Sequence, residues 1–341
     1  MSSGPAHGAP LYLGVDLGGT KVGIALVDEA GRVLAYDRYP TDAARGARAV
    51  VGSVVSAIRG LLARHGAARV AGLGVGVAGQ VDPDAGVVRY APNLRWRDVP
   101  LRAWLAREWR CPVEVLNDVQ AAAYGEWRHG AGRGVDEMVC LFVGTGIGGG
   151  VVSGGRLLRG CSGSAGELGH LTVALDGPPC RCGNRGCLEA FAGGWAIGRA
   201  AREAVAADPE AGRGLLGRAD GDPERITARV VSAAADAGDP LAQAIVGAAA
   251  SALAAGAASA VNAFNPCLLL LGGGVMAGTP GLFETVRAEL ATRALEPALR
   301  HLRVERTTLG PYAGVVGAAA RTRDLAAGRT LETVRAAAAD G

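Results

Sequence analysis

The 341-residue chain has little aromatic content, 4%, and Lys21 is the only lysine among its 35 basic side chains. Few aromatics leave Ala, Val, Leu and 54 glycines to supply both core and turns, while 49% hydrophobic content with 20% charge excludes a disordered chain. There is no block of like charge, and a formal net charge of +3 gives nucleic acid nothing to hold, so a small molecule is the expected partner. Met1 to Pro10 has no basic segment followed by an apolar core, which argues against a secretory leader and for a cytoplasmic protein. The apolar stretch Leu241 to Phe264 is mostly Ala, Gly and Ser and is broken by Gln243, Ser251, Ser259 and Asn262. It reads as a buried helix, not a membrane span, so no membrane partner is expected. The near-total replacement of lysine makes Lys21 informative, because the broad arginine fork cannot stand in for a compact point charge.

The hydrophobic pattern is that of an α/β protein whose length suits two domains of about 100–200 residues each. Leu11 to Val15, Val22 to Val27 and Arg32 to Tyr39 read as a strand meander, with Asp16-Leu17-Gly18-Gly19-Thr20-Lys21 forming a tight glycine turn. Ala43 to His65 reads as a helix, Val70 to Val77 as a strand, and Pro100 to Arg110 and Asn117 to His129 as helices around the strand Val113 to Leu116. Near the middle the opening returns: strand Met138 to Val143, a turn over Gly144 to Gly150, and strand again at Val151-Val152. Gly31-Arg32-Val33-Leu34 is echoed by Gly155-Arg156-Leu157-Leu158, which suggests two related lobes. Ile226 to Asn262 reads as largely helical, Cys267 to Leu271 as a buried strand, and Tyr312 to Ala327 as a helix able to return to the first lobe.

Two stretches match G-x-G-x-x-G, at Gly74, Gly76, Gly79 and at Gly144, Gly146, Gly149, but neither leads into a helix. Gln80 to Gly86 reads as a turn and Val151-Val152 as strand, so a dinucleotide fold is excluded, and no G-x-x-x-x-G-K-[ST] loop is present. The hairpin turns suit phosphate in another way: glycines let amides converge on anionic oxygens, and Thr20 or Thr145 adds a hydroxyl. Asp16 among such anion holders calls for a Mg²⁺ held through water. Glu167-Leu168-Gly169-His170 precedes Cys180-x-Cys182-Gly-x-x-Gly-Cys187, a Cys₃His set fit for a structural Zn²⁺ with no open coordination position. Cys111, Cys140, Cys161 and Cys267 stand apart and read as core residues. Asn117-Asp118 follows a strand and opens a helix, where open sheets bind ligands. An aspartate there either caps the helix or accepts a hydroxyl proton. Asn93, Asn117, Glu167 and Glu189 add the amides and carboxylates that a polyhydroxylated ligand needs.

Together with Pro92-Asn93-Leu94-Arg95-Trp96 and Leu271-Gly272-Gly273-Gly274, these motifs make the chain resemble the ROK (repressor, open reading frame, kinase) sugar kinases of the actin-like/hexokinase ATPase superfamily, over about residues 11 to 325. The resemblance implies two actin-like, ribonuclease H-like α/β lobes around a central cleft, with a structural zinc loop over residues 170–187. The small lobe is expected over 11–116 plus about 312–327 and the large lobe over 117–311, with a disordered tail at 1–10 and a C-terminal tail at 328–341.

The implied activity is ATP-dependent phosphorylation of a hexose, with glucose to glucose 6-phosphate leading. Other hexoses, N-acetylhexosamines, fructose or a sugar-like cyclitol stand as alternatives, and in some relatives polyphosphate replaces ATP. By the same resemblance, Asp118 is the general base, and Asn93, Asn117, Glu167, His170 and Glu189 contact the sugar, with Gly79 approaching through its backbone. Asp16, Gly18, Gly19, Thr20, Lys21, Gly144, Thr145 and Gly146 hold ATP phosphates, and Gly272, Gly273 and Gly274 lie along the adenosine. His170, Cys180, Cys182 and Cys187 bind zinc, and a homodimer or homotetramer is expected. Family repressors carry an added N-terminal helix-turn-helix, for which the fifteen residues before Asp16 leave no room. A noncatalytic sugar sensor is the reading of a different class, and in it Asp118 would be idle.

Overall fold

The computed structural model describes residues 9–67 and 69–328; of the tails expected at 1–10 and 328–341, residues 1–8 and 329–341 lie outside the described residues. In chain order the elements are β1 (Leu11–Leu17), β2 (Lys21–Asp28), β3 (Val33–Pro40), α1 (Ala47–Arg64), β4 (Gly72–Val77), β5 (Gln80–Asp82), β6 (Val87–Ala91), β7 (Trp96–Val99), α2 (Leu101–Ala106), β8 (Val113–Asn117) and α3 (Asp118–His129). There follow β9 (Met138–Val143), β10 (Ile147–Ser153), β11 (Arg156–Leu157), α4 (Leu188–Ala192), α5 (Gly194–Ala207), α6 (Arg213–Arg218), α7 (Ala228–Asp236) and α8 (Pro240–Phe264). The chain closes with β12 (Leu268–Gly272), α9 (Gly274–Gly278), α10 (Leu282–Arg293), α11 (Glu296–Leu299), β13 (Arg303–Arg306) and α12 (Ala313–Ala326).

Two five-stranded sheets have the orders β3-β2-β1-β4-β8 and β11-β10-β9-β12-β13, so the echo in the sequence is a repeated topology. In each, an antiparallel meander feeds two parallel strands. A small sheet, β5-β6-β7, covers residues the sequence reading left as turn and loop. The contacts divide the chain into unit 1, residues up to 136 with 150–166 and those from 308, and unit 2, residues 137–149 and 167–307.

In unit 1 the alternation of β1 and β2 sends two apolar stripes to opposite faces. Leu13, Val15, Leu17, Val22, Ile24 and Leu26 join the core that includes Val50, Val54 and Ile58 of α1. Tyr12, Ala25 and Val27 meet Val315, Val316 and Ala319 of α12. Helix α12 lies close on the sheet and on α3 because glycines stand where backbones touch. A Cβ on Gly14 would overlap the Val315 carbonyl, one on Gly74 the Ala318 carbonyl, and one on Gly317 the Ala121 carbonyl of α3. The same helix pair carries a buried polar knot. Asp324 accepts from the Tyr124 hydroxyl at 2.7 Å, from Arg128 Nε at 2.9 Å and from Arg323 Nη2 at 2.8 Å. The Glu126 carboxylate, also buried, accepts from the amides of Ala131, Thr308 and Leu309 and so holds the chain where it re-enters unit 1.

In unit 2, α8 is long and apolar enough to cross a membrane by length and composition. Ala242, Ala250, Leu253, Ala257 and Val261 along it are buried, and it packs against α7 and α10, as expected of a core helix.

The structure differs from the sequence reading at several places. Residues 117–136 group with unit 1, not with a second lobe opening at 117, because α3 packs along α12. The turn expected over Gly144 to Gly150 is confined to Gly144-Thr145-Gly146, since Ile147 to Gly150 already pair as strand. Gln80 to Asp82, read as turn, pairs with β6. Cys140 is buried, but Cys161 and Cys267 are exposed and Cys111 is half-buried. Cys161 sits in the Gly/Ser-rich loop after β11, and Cys267 precedes the buried run of β12, so neither is part of a packed stripe.

Gly317→Ala is expected to destabilise the fold by about 3 kcal/mol or more, since the added methyl meets backbone that can yield only by moving α3. A thermal or urea denaturation comparison with the parent chain checks this, and an unchanged midpoint would show that the two helices are not in close contact.

Candidate active site and metal centre

In unit 1 the parallel strands β1, β4 and β8 end side by side, with Leu17, Val77 and Asn117 in register. Such C-terminal edges are where open α/β sheets place ligands. Asn117 is the N-cap of α3: its Oδ1 accepts from the Val119 and Gln120 amides at 2.9 and 3.1 Å, and its Nδ2 donates to the Gly79 carbonyl at 3.2 Å. The cap satisfies two of the helix's unpaired donors and fixes where Asp118 begins. Asp118 Oδ1 accepts from the Val119 amide at 3.0 Å. Its Cα stands 3.3 Å from where a Cβ on Gly76 would lie.

Asp16 neighbours this point through its pairing with Gly76 and, on its other side, with Gly23. No donor among the described residues reaches its carboxylate by a hydrogen bond, and burial pushes it up to about 6 against the lowering influence of Arg38. A desolvated acid without donors fits a cation held nearby, as the sequence reading expects for Mg²⁺. The first turn of α12 lies over it, with the Cβ position of Gly314 at 3.2 Å from Asp16 Cγ. The adjoining hairpin closes by the Gly18 amide donating to the Lys21 carbonyl at 3.0 Å, which puts Gly19 and Thr20 at the tip. Asn93, in a short helical turn after β6, abuts Gly19, and Gly79 abuts Tyr90 and Ala91. Thr20 and Lys21 are exposed.

Arg38 was missed by sequence reasoning. It pairs with Gly23, which pairs with Asp16, so the bare glycine leaves Arg38 and Asp16 on one face of the sheet. The hairpin register was the signal that could have found it.

In unit 2 the second glycine turn is closed by the Gly144 amide donating to the Gly146 carbonyl at 2.9 Å. The start of α5 docks on it: the Gly194 amide donates to the Gly144 carbonyl at 2.9 Å and the Trp195 amide to the Thr145 carbonyl at 3.0 Å. Glu189 lies directly beneath, where a Cβ on Gly146 would strike its carboxylate. Its Oε2 accepts from the Ile147 amide at 2.8 Å and its Oε1 from Trp195 Nε1 at 3.1 Å. Gly272 ends β12, Gly273 takes φ 93° against the Val143 backbone, and Gly274 opens α9.

The four residues read as zinc ligands converge. One donor atom each from His170, Cys180, Cys182 and Cys187 lies within 4.8 Å of all the others. Cys182 and Cys187 Sγ are 3.7 Å apart, and Cys180 Sγ is 3.8 Å from His170 Nδ1. Tetrahedral zinc with bonds of 2.0–2.3 Å requires separations of about 3.5–3.8 Å, so the donor set fits the ion. Burial and its thiol neighbours push Cys187 up to about 12, so three thiolates here require a bound cation. The other ring nitrogen of His170, Nε2, faces Glu167 Oε2 at 4.0 Å. Partial desolvation raises the Glu167 carboxyl, and the Glu189 charge adds to this while His170 opposes it.

The ROK family profile matches residues 12–324. The chain belongs to the ROK family. It is 36% identical over 315 residues to a glucokinase of Streptomyces coelicolor, covering 92% of this chain and 98% of that protein. It is 37% identical over 308 residues to a glucokinase of Thermotoga maritima, covering 90% of this chain and 95% of that one. Among solved structures, the ROK family glucokinase from Streptomyces griseus in complex with glucose and AMPPNP superposes with a TM-score of 0.81 at 37% identity, over 92% of this chain and 99% of that one. The ROK assignment agrees with the repeated sheet topology and with a Cys/His cluster of zinc-binding geometry.

In this ROK chain, Cys182→Ser is expected to abolish stoichiometric zinc and to loosen residues 167–189. Metal analysis of the purified variant checks it, and a full zinc complement would remove Cys182 from the ligand set.

Proposed function

We propose that this protein is an ATP-dependent hexose kinase that forms glucose 6-phosphate from glucose. What carries the reading is its 36–37% identity, over nine-tenths of the chain, to glucokinases. A structural relative at 37% identity holds glucose and AMPPNP. Asp118 serves as general base, taking the proton of the 6-hydroxyl as that oxygen attacks the γ-phosphorus. Phosphoryl transfer passes through a loose transition state, so the main demands are in-line alignment and charge neutralisation. Asp118 therefore needs no raised basicity, only a fixed position at the start of α3, which the Asn117 cap supplies.

Asn93, Asn117, Glu167, His170 and Glu189 contact the sugar, and Gly79 approaches through its backbone. Asn117 Oδ1 and both Glu189 oxygens already accept internal hydrogen bonds, which orients them before a sugar arrives. The phosphates of ATP are held by the turns Gly18-Gly19-Thr20-Lys21 and Gly144-Thr145-Gly146, and the adenosine runs along Gly272, Gly273 and Gly274. Asp16 would hold magnesium, which when bound would supply positive charge to the phosphates. Cys180, Cys182, Cys187 and His170 would hold zinc, which would order the loop, with His170 Nδ1 the ring nitrogen beside Cys180 and Nε2 the one beside Glu167. The same reading carries a cytoplasmic homodimer or homotetramer, with neither nucleic acid nor membrane as partner.

Asp118→Asn is expected to keep glucose affinity within about threefold and to lower turnover by at least about a hundredfold, the usual scale for a general base. ADP release measured across glucose, mannose, fructose, N-acetylglucosamine and a cyclitol, with calorimetry for binding, tests both points. Turnover near that of the parent would remove Asp118 from the mechanism. A strong preference for another sugar would displace glucose as the substrate.

A further inference from the structure

Trp195 has a set of contacts that none of the expected site roles uses. Its indole packs on the cluster of Cys180, Cys187 and Ala190, at the back of the metal loop. Arg181, which lies between two of the cysteine ligands, places its guanidinium carbon 4.6 Å from the ring centroid, and Arg199 places its own at 5.1 Å. From this seat Nε1 donates to Glu189 Oε1 at 3.1 Å, while the other oxygen of Glu189 accepts from the Ile147 amide at 2.8 Å. The Trp195 backbone amide donates to the Thr145 carbonyl. All of these residues belong to unit 2.

One side chain therefore touches the metal loop on one side and a carboxylate under the glycine turn on the other. The glycines on either side of Thr145 give this turn little stiffness of its own, so its amides point where its neighbours hold them. Glu189 fixes the Ile147 amide by a charge-assisted bond, the stronger kind, and it can do so only while its own rotamer is fixed. Its rotamer is held in turn by the indole donor. The contacts of Arg181 and Arg199 with the ring are worth up to about 1 kcal/mol per cation at partly exposed sites and favour its observed orientation.

We propose that Trp195 is a positioning residue for nucleotide binding: it transmits the shape of the Cys₃His loop, through Glu189, to the turn Gly144-Thr145-Gly146-Ile147. The inference rests on the reading of that turn as a phosphate holder. It gives the metal loop a second task, shaping the nucleotide side of the reaction as well as the sugar side.

The test uses the zinc-loaded full chain and its variant Trp195→Phe, which keeps an aromatic ring on the cysteine cluster and removes the N–H donor. AMPPNP affinity is measured by calorimetry and amide exchange by mass spectrometry on peptides spanning 143–150. The expected result is a loss of AMPPNP affinity of about three- to tenfold, the scale of one ordinary hydrogen bond. Faster exchange over 143–150 accompanies it, with zinc content retained. Unchanged AMPPNP affinity, or a loss confined to glucose affinity, overturns the proposal. Should Trp195→Phe shed zinc, Glu189→Gln, which leaves the ring seated, decides by the same two readouts. If the parent chain itself binds no AMPPNP, the nucleotide reading of the turn fails instead, and the two failures are thereby told apart.

Discussion

The close approach of backbone to backbone along α12 sets the geometry on which unit 1 depends. Gly14 and Gly74 in the sheet and Gly317 in the helix remove the side chains that would otherwise hold these elements apart. At such separations each peptide group has a neighbour that cannot shift without moving the rest, because protein interiors are packed as densely as crystals. Helix α3 is thereby fixed along its length, and the Asn117 cap fixes its start. The position of Asp118 follows from those two constraints. Glu126 and Asp324, both buried and both fully employed as acceptors, keep the α3–α12 pair from sliding. A buried carboxylate without such donors would cost several kcal/mol.

Unit 2 meets a different problem. The stretch from 167 to 187 has, as its regular structure, one short helical turn at Leu168–His170 and two isolated strand bridges. Four ligand atoms drawn within 4.8 Å supply the organisation that packing does not. Metal binding in such a loop is folding free energy for the loop. From this knot His170 is oriented by its Nδ1, and Glu189 follows Cys187 by two residues at the start of α4. Asp16 is in the opposite condition: no donor among the described residues bonds its carboxylate, and burial raises it against the influence of Arg38.

Most of the framework was legible from the residues. Strands β1, β2, β9 and β12 declare themselves by apolar runs between glycine turns, and the Cys₃His spacing pointed to the four donors that converge. The repeated Gly-Arg-x-Leu turn pointed to a duplicated meander that the strand orders bear out. Other features were hidden for physical reasons. The small sheet β5-β6-β7 is built from strands of three to five residues whose pairing comes from tertiary context, not periodicity. Gly148 to Gly150 read as turn because glycine is a turn former, yet a ladder of partners overrides propensity. Arg38 reaches Asp16 only across Gly23, a relation of register and not of sequence distance. Nothing local to Trp195 marks it, since its partners arrive from residues 145, 180–190 and 199. The cysteines at 161 and 267 show the reverse error, in which residue type suggested core and loop context decided otherwise.

In the proposed reaction the terminal phosphoryl group of ATP passes to a hexose hydroxyl. Phosphorus-31 spectroscopy of the purified protein with ATP, magnesium and glucose follows that group directly. A phosphomonoester resonance of glucose 6-phosphate is expected to grow as the γ-phosphate signal decays. A γ-phosphate signal that persists, or that is lost only to inorganic phosphate with no ester formed, would contradict it.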